Sequence, residues 1–269
     1  LIINKNKISY SQKSKISDVK WADLGCEIVL DCTGNHRKTS LLVDYFKNGV
    51  KKVIVSAPIN EPQVLNIVYG INHEQYDDNK NNIITSASCT TNCLAPIIKV
   101  IHENLGIERG QITTIHNPTN TNVVVDQPHK DLRRTRSSLI SLQPTTTGSA
   151  RTIGLIYPEL EGKLDGHAVR SPVLNASLLD CVLQLRSKTN KNDVNELFKI
   201  ASNNYLKGIL GIENKPLVSS DYNNDSRSSI VDGLSTLVTD SSLLKVYAWY
   251  DNEVGYACRM LDLARYINQ

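Results

Sequence analysis

No run of about 18 apolar residues occurs anywhere in the 269 residues, so no transmembrane helix is expected. The opening stretch, Leu1-Ile2-Ile3-Asn4-Lys5-Asn6-Lys7, lacks the long apolar core of a signal peptide. It also lacks an initiator Met, and Leu1-Ile2-Ile3 reads as strand interior, so the chain is expected to be cut at its front. The cysteines at 26, 32, 89, 93, 181 and 258 form no zinc-type pair of CxxC units, and neither a metal site nor a disulfide framework is expected; Cys26, Cys32 and Cys181 lie within or beside apolar strand-like runs, where small buried thiols are common. Neither charge sign dominates: 30 basic against 27 acidic residues give +3. That balance makes no case for nucleic acid or an anionic membrane as partner. Internal repeats and low-complexity linkers are missing too. So is any GxGxxG, the glycine turn on which many dinucleotide sites rest a pyrophosphate.

What is present begins with α/β grammar. An apolar run at 27–31, a helix pattern at 38–47 and a buried run at 52–56 read as strand, helix and strand, with further strands expected at 64–71 and 82–85. The front is therefore half of a doubly wound parallel domain. An apolar helix starts at Cys89 and runs toward Asn104, and Gln111–His116 reads as a strand. A long polar segment, 118–146, has little periodicity, and loops of that length usually have a function. A helix pattern covers 150–164, and 166–187 alternates like one long or two joined strands. A capped amphipathic helix is read at 190–203, a strong strand at 245–250 and a final helix from Asn252, which would cap it. Strands with segregated helices suggest an α+β domain with a mainly antiparallel sheet.

The most informative stretch is Ser88-Cys89-Thr90-Thr91-Asn92-Cys93, which delivers a cysteine to the first turn of a helix. Backbone N–H groups and the helix dipole there favour the thiolate. Cys89 is a candidate nucleophile if a histidine can reach it. That need for a free thiol suits a reducing cytoplasm. His116 ends its strand, a place where a lone histidine is more often structural. Pro144-Thr145-Thr146-Thr147-Gly148-Ser149-Ala150 leads into a helix, a natural anion seat, although a Thr-rich turn can also simply cap that helix. The run Pro128–Arg136 holds five basic residues and one acid, but no aromatics interleave to stack bases.

Together these segments closely resemble the glyceraldehyde-3-phosphate dehydrogenase family, from about Leu1 to the C-terminus. The carriers are the Cys89 string, Thr113-Thr114-Ile115-His116 with Thr119 and Thr121, and Tyr250-Asp251-Asn252-Glu253-Val254-Gly255-Tyr256. The resemblance implies a partial Rossmann domain at 1–88, a catalytic domain at 89–251, and a C-terminal helix at 252–269 returning to the first domain. It implies Cys89 as nucleophile and His116 as its base and acid. Thr119, Thr121 and Arg170 would hold the substrate's terminal phosphate, with Arg136 nearby. Ser88, Thr90, Thr147, Gly148 and Arg170 would hold the attacking phosphate. Thr33, Gly34, Ser56, Asn252 and Tyr256 would face the cofactor, NAD or NADP, with Asn252 on the nicotinamide carboxamide. A homotetramer is implied, because the 118–146 loop resembles one that lines a neighbour's cofactor pocket.

Departures bound that reading. In the family the GxGxxG turn and the acidic ribose grip lie before the point matched by Leu1, about one βαβ unit. The strand at 27–31 is then expected to be an exposed edge. Asn117-Pro118, Val254 and Cys258 are also unfamiliar. Asn120-Thr121 and Asn175-Ala176-Ser177-Leu178 look like the branch found beside arsenic-resistance exporters, where arsenate replaces phosphate. Open alternatives are erythrose 4-phosphate as substrate, a thiol acyl-transfer activity without nicotinamide, and a truncated chain that only assembles with partner subunits.

Overall fold

The computed structural model describes residues 1–269. Two main sheets organise it, preceded by an exposed hairpin of β1 (Ile2–Ile3) and β2 (Asn6–Lys7). The first sheet holds β3 (Ile28–Asp31), β4 (Lys52–Val55), β5 (Leu65–Asn66) and β6 (Ile83–Thr85), all parallel, in the order β3-β4-β6-β5. Helix α1 (Thr39–Lys47) covers one face, burying Leu42 and Tyr45 against Val29, Val53 and Val55. On the other face the last helix, α5 (Val254–Tyr266), packs Met260 and Leu263 on Ile54, Ile67 and Ile84. Helices on both faces explain why β4 reads as a continuous apolar run instead of an alternating one. Strand β3 stands at the sheet's edge.

The chain leaves β6 through a sharp turn into α2 (Cys89–Leu105), then enters β7 (Ile107–His116). There follow β8 (Gln143–Thr146), α3 (Ser149–Ile156), β9 (Leu164–Arg170), β10 (Ser177–Leu185) and α4 (Lys191–Asn203). The second sheet is completed by β11 (Leu210–Glu213), β12 (Ser229–Asp232), β13 (Leu237–Thr239) and β14 (Leu243–Tyr250). Its order is β11-β12-β14-β10-β7-β9-β8, with β13 also pairing β14. Only β7–β9 and β11–β12 are parallel, so the expected mainly antiparallel sheet is found. Helix α2 lies across it with Cys93, Leu94, Ile97, Ile98 and Ile101 fully buried in the largest apolar cluster.

Several elements differ from the sequence reading, each for a local reason. The strand expected at 64–71 is reduced to Leu65–Asn66: the Asn72 side chain accepts from Val68 N–H, and Gly70 at φ +85° turns the chain away. The helix expected to reach 164 stops at Ile156, because Pro158 starts a separate short turn and Gly162 adopts φ +71°. Strands β11, β12 and β13 are not among the expected elements. Cys32, expected to be a buried thiol, is exposed at the end of β3, and all six cysteines are free. Asn252 does not cap the final helix. Asp251 does, its Oδ1 accepting from the N–H groups of Glu253 and Val254.

The pairing of β7 with β9 needs glycine at 166, where a Cβ would lie 2.1 Å from the Ile112 carbonyl oxygen. Gly166→Ala is therefore expected to cost about 1–3 kcal/mol of stability by overpacking, measurable as a lower urea midpoint.

Candidate active site

The centre of the site is where β6 hands the chain to α2. Ser88 caps the helix, its Oγ accepting from Thr91 N–H at 3.1 Å, and Cys89 is the first helical residue. The Cys89 thiol points at His116, with Sγ 3.5 Å from Nε2. His116 is the last residue of β7, and β7 meets the α2 N-terminus because α2 folds straight back over the sheet. Burial pushes the Cys89 thiol up, while Thr90 and the Arg170 charge pull the other way.

His116 is held from behind. Its ring stands edge-on to Tyr250, with centroids 5.9 Å apart. Tyr250, in turn, shares hydrogen bonds with the hydroxyls of Thr114 at 2.7 Å and Thr90 at 3.0 Å. Nδ1 lies 2.8 Å from Asn117 O and 2.7 Å from Arg170 Nη1. Those contacts compete. Nδ1–H donating to Asn117 O leaves Nε2 free to take a proton from Cys89, whereas Nδ1 accepting from Arg170 puts the proton on Nε2. Burial, and then the guanidinium, push the His116 pKa down to about 4.

Arg170, at the end of β9, has no carboxylate partner. Nη1 donates to Asn117 O at 3.0 Å, and its buried Nε has no partner. An arginine in that condition is prepared for an oxyanion. Two hydroxyl groups of residues flank the centre. Ser88, Ser149 and Thr147 are linked through Oγ contacts of 3.5 and 3.1 Å at the start of α3, where Gly148 has open space above its Cα. Thr119 and Thr121 lie 3.2 Å apart through their hydroxyls. Arg134 donates to Thr121 at 2.8 Å. Arg136, expected near the phosphates, instead pairs with Asp126 at 3.0 Å and is well exposed, because a 3-10 turn at Leu132–Thr135 aims Arg134 inward. Thr90, expected on an anion, has its hydroxyl engaged by Tyr250.

Of the residues expected to face a cofactor, Thr33, Gly34 and Ser56 sit just past the C-terminal ends of parallel strands β3 and β4, while Asn252 follows β14 and Tyr256 lies in α5. Thr33 is tied to Asp31 by its N–H and its hydroxyl, and Gly34, at φ +73°, has open space where a side chain would begin. Ser56 follows β4, and its N–H donates to the Asp31 carbonyl at 2.9 Å. Asn252 is buried and its Oδ1 accepts from Ser177 at 3.1 Å. Tyr256 donates to Ala87 O at 3.3 Å, between the two sheets. Two cavities of about 700 and 690 Å³ lie away from Cys89, on the β7–β9 sheet surface and beside Tyr69 and Tyr205. Sequence reasoning missed Tyr250, Ser149 and Arg134. Inward alternation along β14 was the available signal for Tyr250.

The profile of the glyceraldehyde 3-phosphate dehydrogenase C-terminal domain matches residues 88–252. The chain belongs to the glyceraldehyde-3-phosphate dehydrogenase family. Within that family of NAD-dependent oxidoreductases it is similar to glyceraldehyde-3-phosphate dehydrogenase 3 of Nostoc sp.. The two are 56% identical over 266 residues, 98% of this chain and 79% of that protein. It is also similar to the Geobacillus stearothermophilus glyceraldehyde-3-phosphate dehydrogenase, at 45% over 267 residues, 99% of this chain and 79% of that one. The plasmid-encoded relative of Cupriavidus necator is 44% identical over 262 residues, 97% and 77% of the two chains.

Removing the neighbouring charge should release the imidazole. Arg170→Gln is expected to raise the His116 pKa from about 4 toward the ordinary imidazole range, read by NMR titration of the ring protons. An unchanged titration would mean that burial alone holds it down.

Proposed function

We propose that this chain oxidises glyceraldehyde 3-phosphate through a thioester on Cys89, with NAD as hydride acceptor and phosphate as acyl acceptor. The observation that carries the proposal is a helix-start cysteine 3.5 Å from a histidine, beside an arginine with no carboxylate partner. His116 Nε2 takes the thiol proton as Sγ adds to the aldehyde carbon, and the carbonyl oxygen is protonated to give a thiohemiacetal. NAD, when bound, supplies the two-electron acceptor. His116 removes the hydroxyl proton as the thioester forms. An oxyanion held by Arg170 and the Ser88, Thr147 and Gly148 cluster then attacks the acyl carbon, the C–S bond breaks and the thiolate returns. Thr119, Thr121, Arg134 and Arg170 hold the substrate's own phosphate. An anion there would also draw the guanidinium from Nδ1, favouring the tautomer in which Nε2 is the base.

The residues present fit the nicotinamide end of the cofactor. Gly34 borders open space beside Thr33, Asn252 has an amide nitrogen with no protein acceptor, and Tyr256 donates to Ala87 O in the turn that leads to Cys89. NADP remains an outcome of the assay, as do arsenate in place of phosphate and erythrose 4-phosphate in place of the triose. We place the cofactor unit at 1–88, the catalytic unit at 89–251 and the returning helix at 252–269. No helix is long and apolar enough to cross a membrane. The free thiol that the mechanism needs suits a reducing compartment, and we assign the chain to the cytoplasm.

The assay follows NADH absorbance with each aldehyde and each oxyanion. Cys89→Ser should lower turnover by roughly a thousandfold or more, and His116→Ala by roughly 10²–10⁴-fold. Burst acylation by an activated ester with no NADH would favour the acyl-transfer reading, and full activity in Cys89→Ser would end the thioester mechanism.

We also propose that the chain assembles with copies of itself, as a tetramer. Val125, Leu132, Ile140 and Leu142 are exposed on the 118–146 loop, and such an assembly would cover them. Leu132→Asp with Ile140→Glu should shift the mass seen by light scattering toward monomer. A wild-type chain that is already monomeric would overturn the assembly.

A further inference from the structure

Ala87, directly before the helix cap, has φ +49°, in the left-handed region where a Cβ is unfavourable. Such a residue persists only where its surroundings over-determine it. Here they do. Ala87 N–H donates to Thr85 Oγ1 at 3.1 Å, and its carbonyl accepts from the Tyr256 hydroxyl at 3.3 Å. The two flanking carbonyls, Ser86 O and Ser88 O, each accept from Asn92 Nδ2 at 2.9 Å. One carboxamide thus straddles the strained residue from both sides. Asn92 is 1% exposed, so no water competes for those bonds.

The helix itself offers the first turn less than usual. Pro96 lies inside α2 and has no N–H to give to the Asn92 carbonyl. The orientation of Cys89 therefore rests on the turn that precedes it. If Ala87 relaxed to an ordinary φ, Ser88 would leave its capping position and the Cys89 Sγ would swing away from His116 Nε2.

We infer that Asn92 is a positioning residue, whose carboxamide holds the Ser86–Ser88 turn in the strained form that aims Cys89 at His116. The inference rests on the reading of Cys89 as nucleophile, and it adds Asn92 and Ala87 as a coupled pair. Glycine reaches φ +49° without the Cβ penalty, so Ala87→Gly should lessen the need for the clamp.

The experiment is alkylation of Cys89 by iodoacetamide in the full chain, followed by mass spectrometry across pH, which needs neither cofactor nor substrate. Asn92→Ala is expected to slow Cys89 alkylation about tenfold and move its titration to higher pH. Ala87→Gly alone should stay within about twofold of wild type, and the Ala87→Gly/Asn92→Ala double variant should recover most of the lost rate. Wild-type rates in Asn92→Ala would overturn the inference, as would a slow variant that Ala87→Gly leaves equally slow. Should Asn92→Ala not fold by circular dichroism, Asn92→Ser, which keeps one donor, carries the same comparison. Failure of the underlying reading is seen separately: Cys89 would then be no more reactive than the half-buried Cys258 in the wild-type chain.

Discussion

Burial of α2 is the constraint on which the rest of the structure depends. Its middle and its N-terminal turn are enclosed by the large sheet and by α3, α4 and α5, and it cannot shift without opening the main core. Because that helix is buried along most of its length, its N-terminal end is brought to a set place in the fold. A thiol placed there meets whatever the sheet presents at the end of β7, and the sheet presents His116. The same helix start lies where the parallel sheet ends, so the cofactor-facing loops and the thiol share one boundary.

Electrostatics at that boundary favour an incoming anion. Arg170 lacks a carboxylate partner, His116 is neutral over the ordinary pH range, and Asn117 offers Arg170 only a carbonyl. The positive charge is thus incompletely compensated by the protein. A bound oxyanion would satisfy the guanidinium and leave Nδ1–H to Asn117 O. Binding and base strength are therefore coupled through one side chain, instead of through a rearrangement of the fold. Tyr250 provides the rigid backing, since its hydroxyl ties Thr90 on the helix to Thr114 on the strand and its ring bears on His116.

Much of this was legible in the chain. The Cys89 string announced a helix start, and the structure puts Ser88 at its cap, accepting from Thr91 N–H. The run before His116 announced a strand, and the parallel grammar of the front was clear from β3, β4 and β6. Errors gathered where a side chain took over the work of a backbone. Asn72 ended a strand that composition favoured, and Asp251 took the cap that Asn252 had been given. Arg134 and Arg136 are two residues apart in a basic run, and nothing in their spacing says which one turns inward.

The amino-acid sequence by itself determined the element types, the placing of a nucleophile at a helix start and the family. The first two follow from local rules of capping, periodicity and spacing, which operate within a few residues, and the family from the resemblance of the segments around Cys89, His116 and Asn252. Only the tertiary structure decided that Cys89 and His116 lie 3.5 Å apart, that Arg170 stands behind the imidazole and that Tyr250 braces both. These contacts join residues 27 to 160 positions apart. They exist because two sheets and one buried helix pack in a single arrangement, and packing is a property of the whole chain.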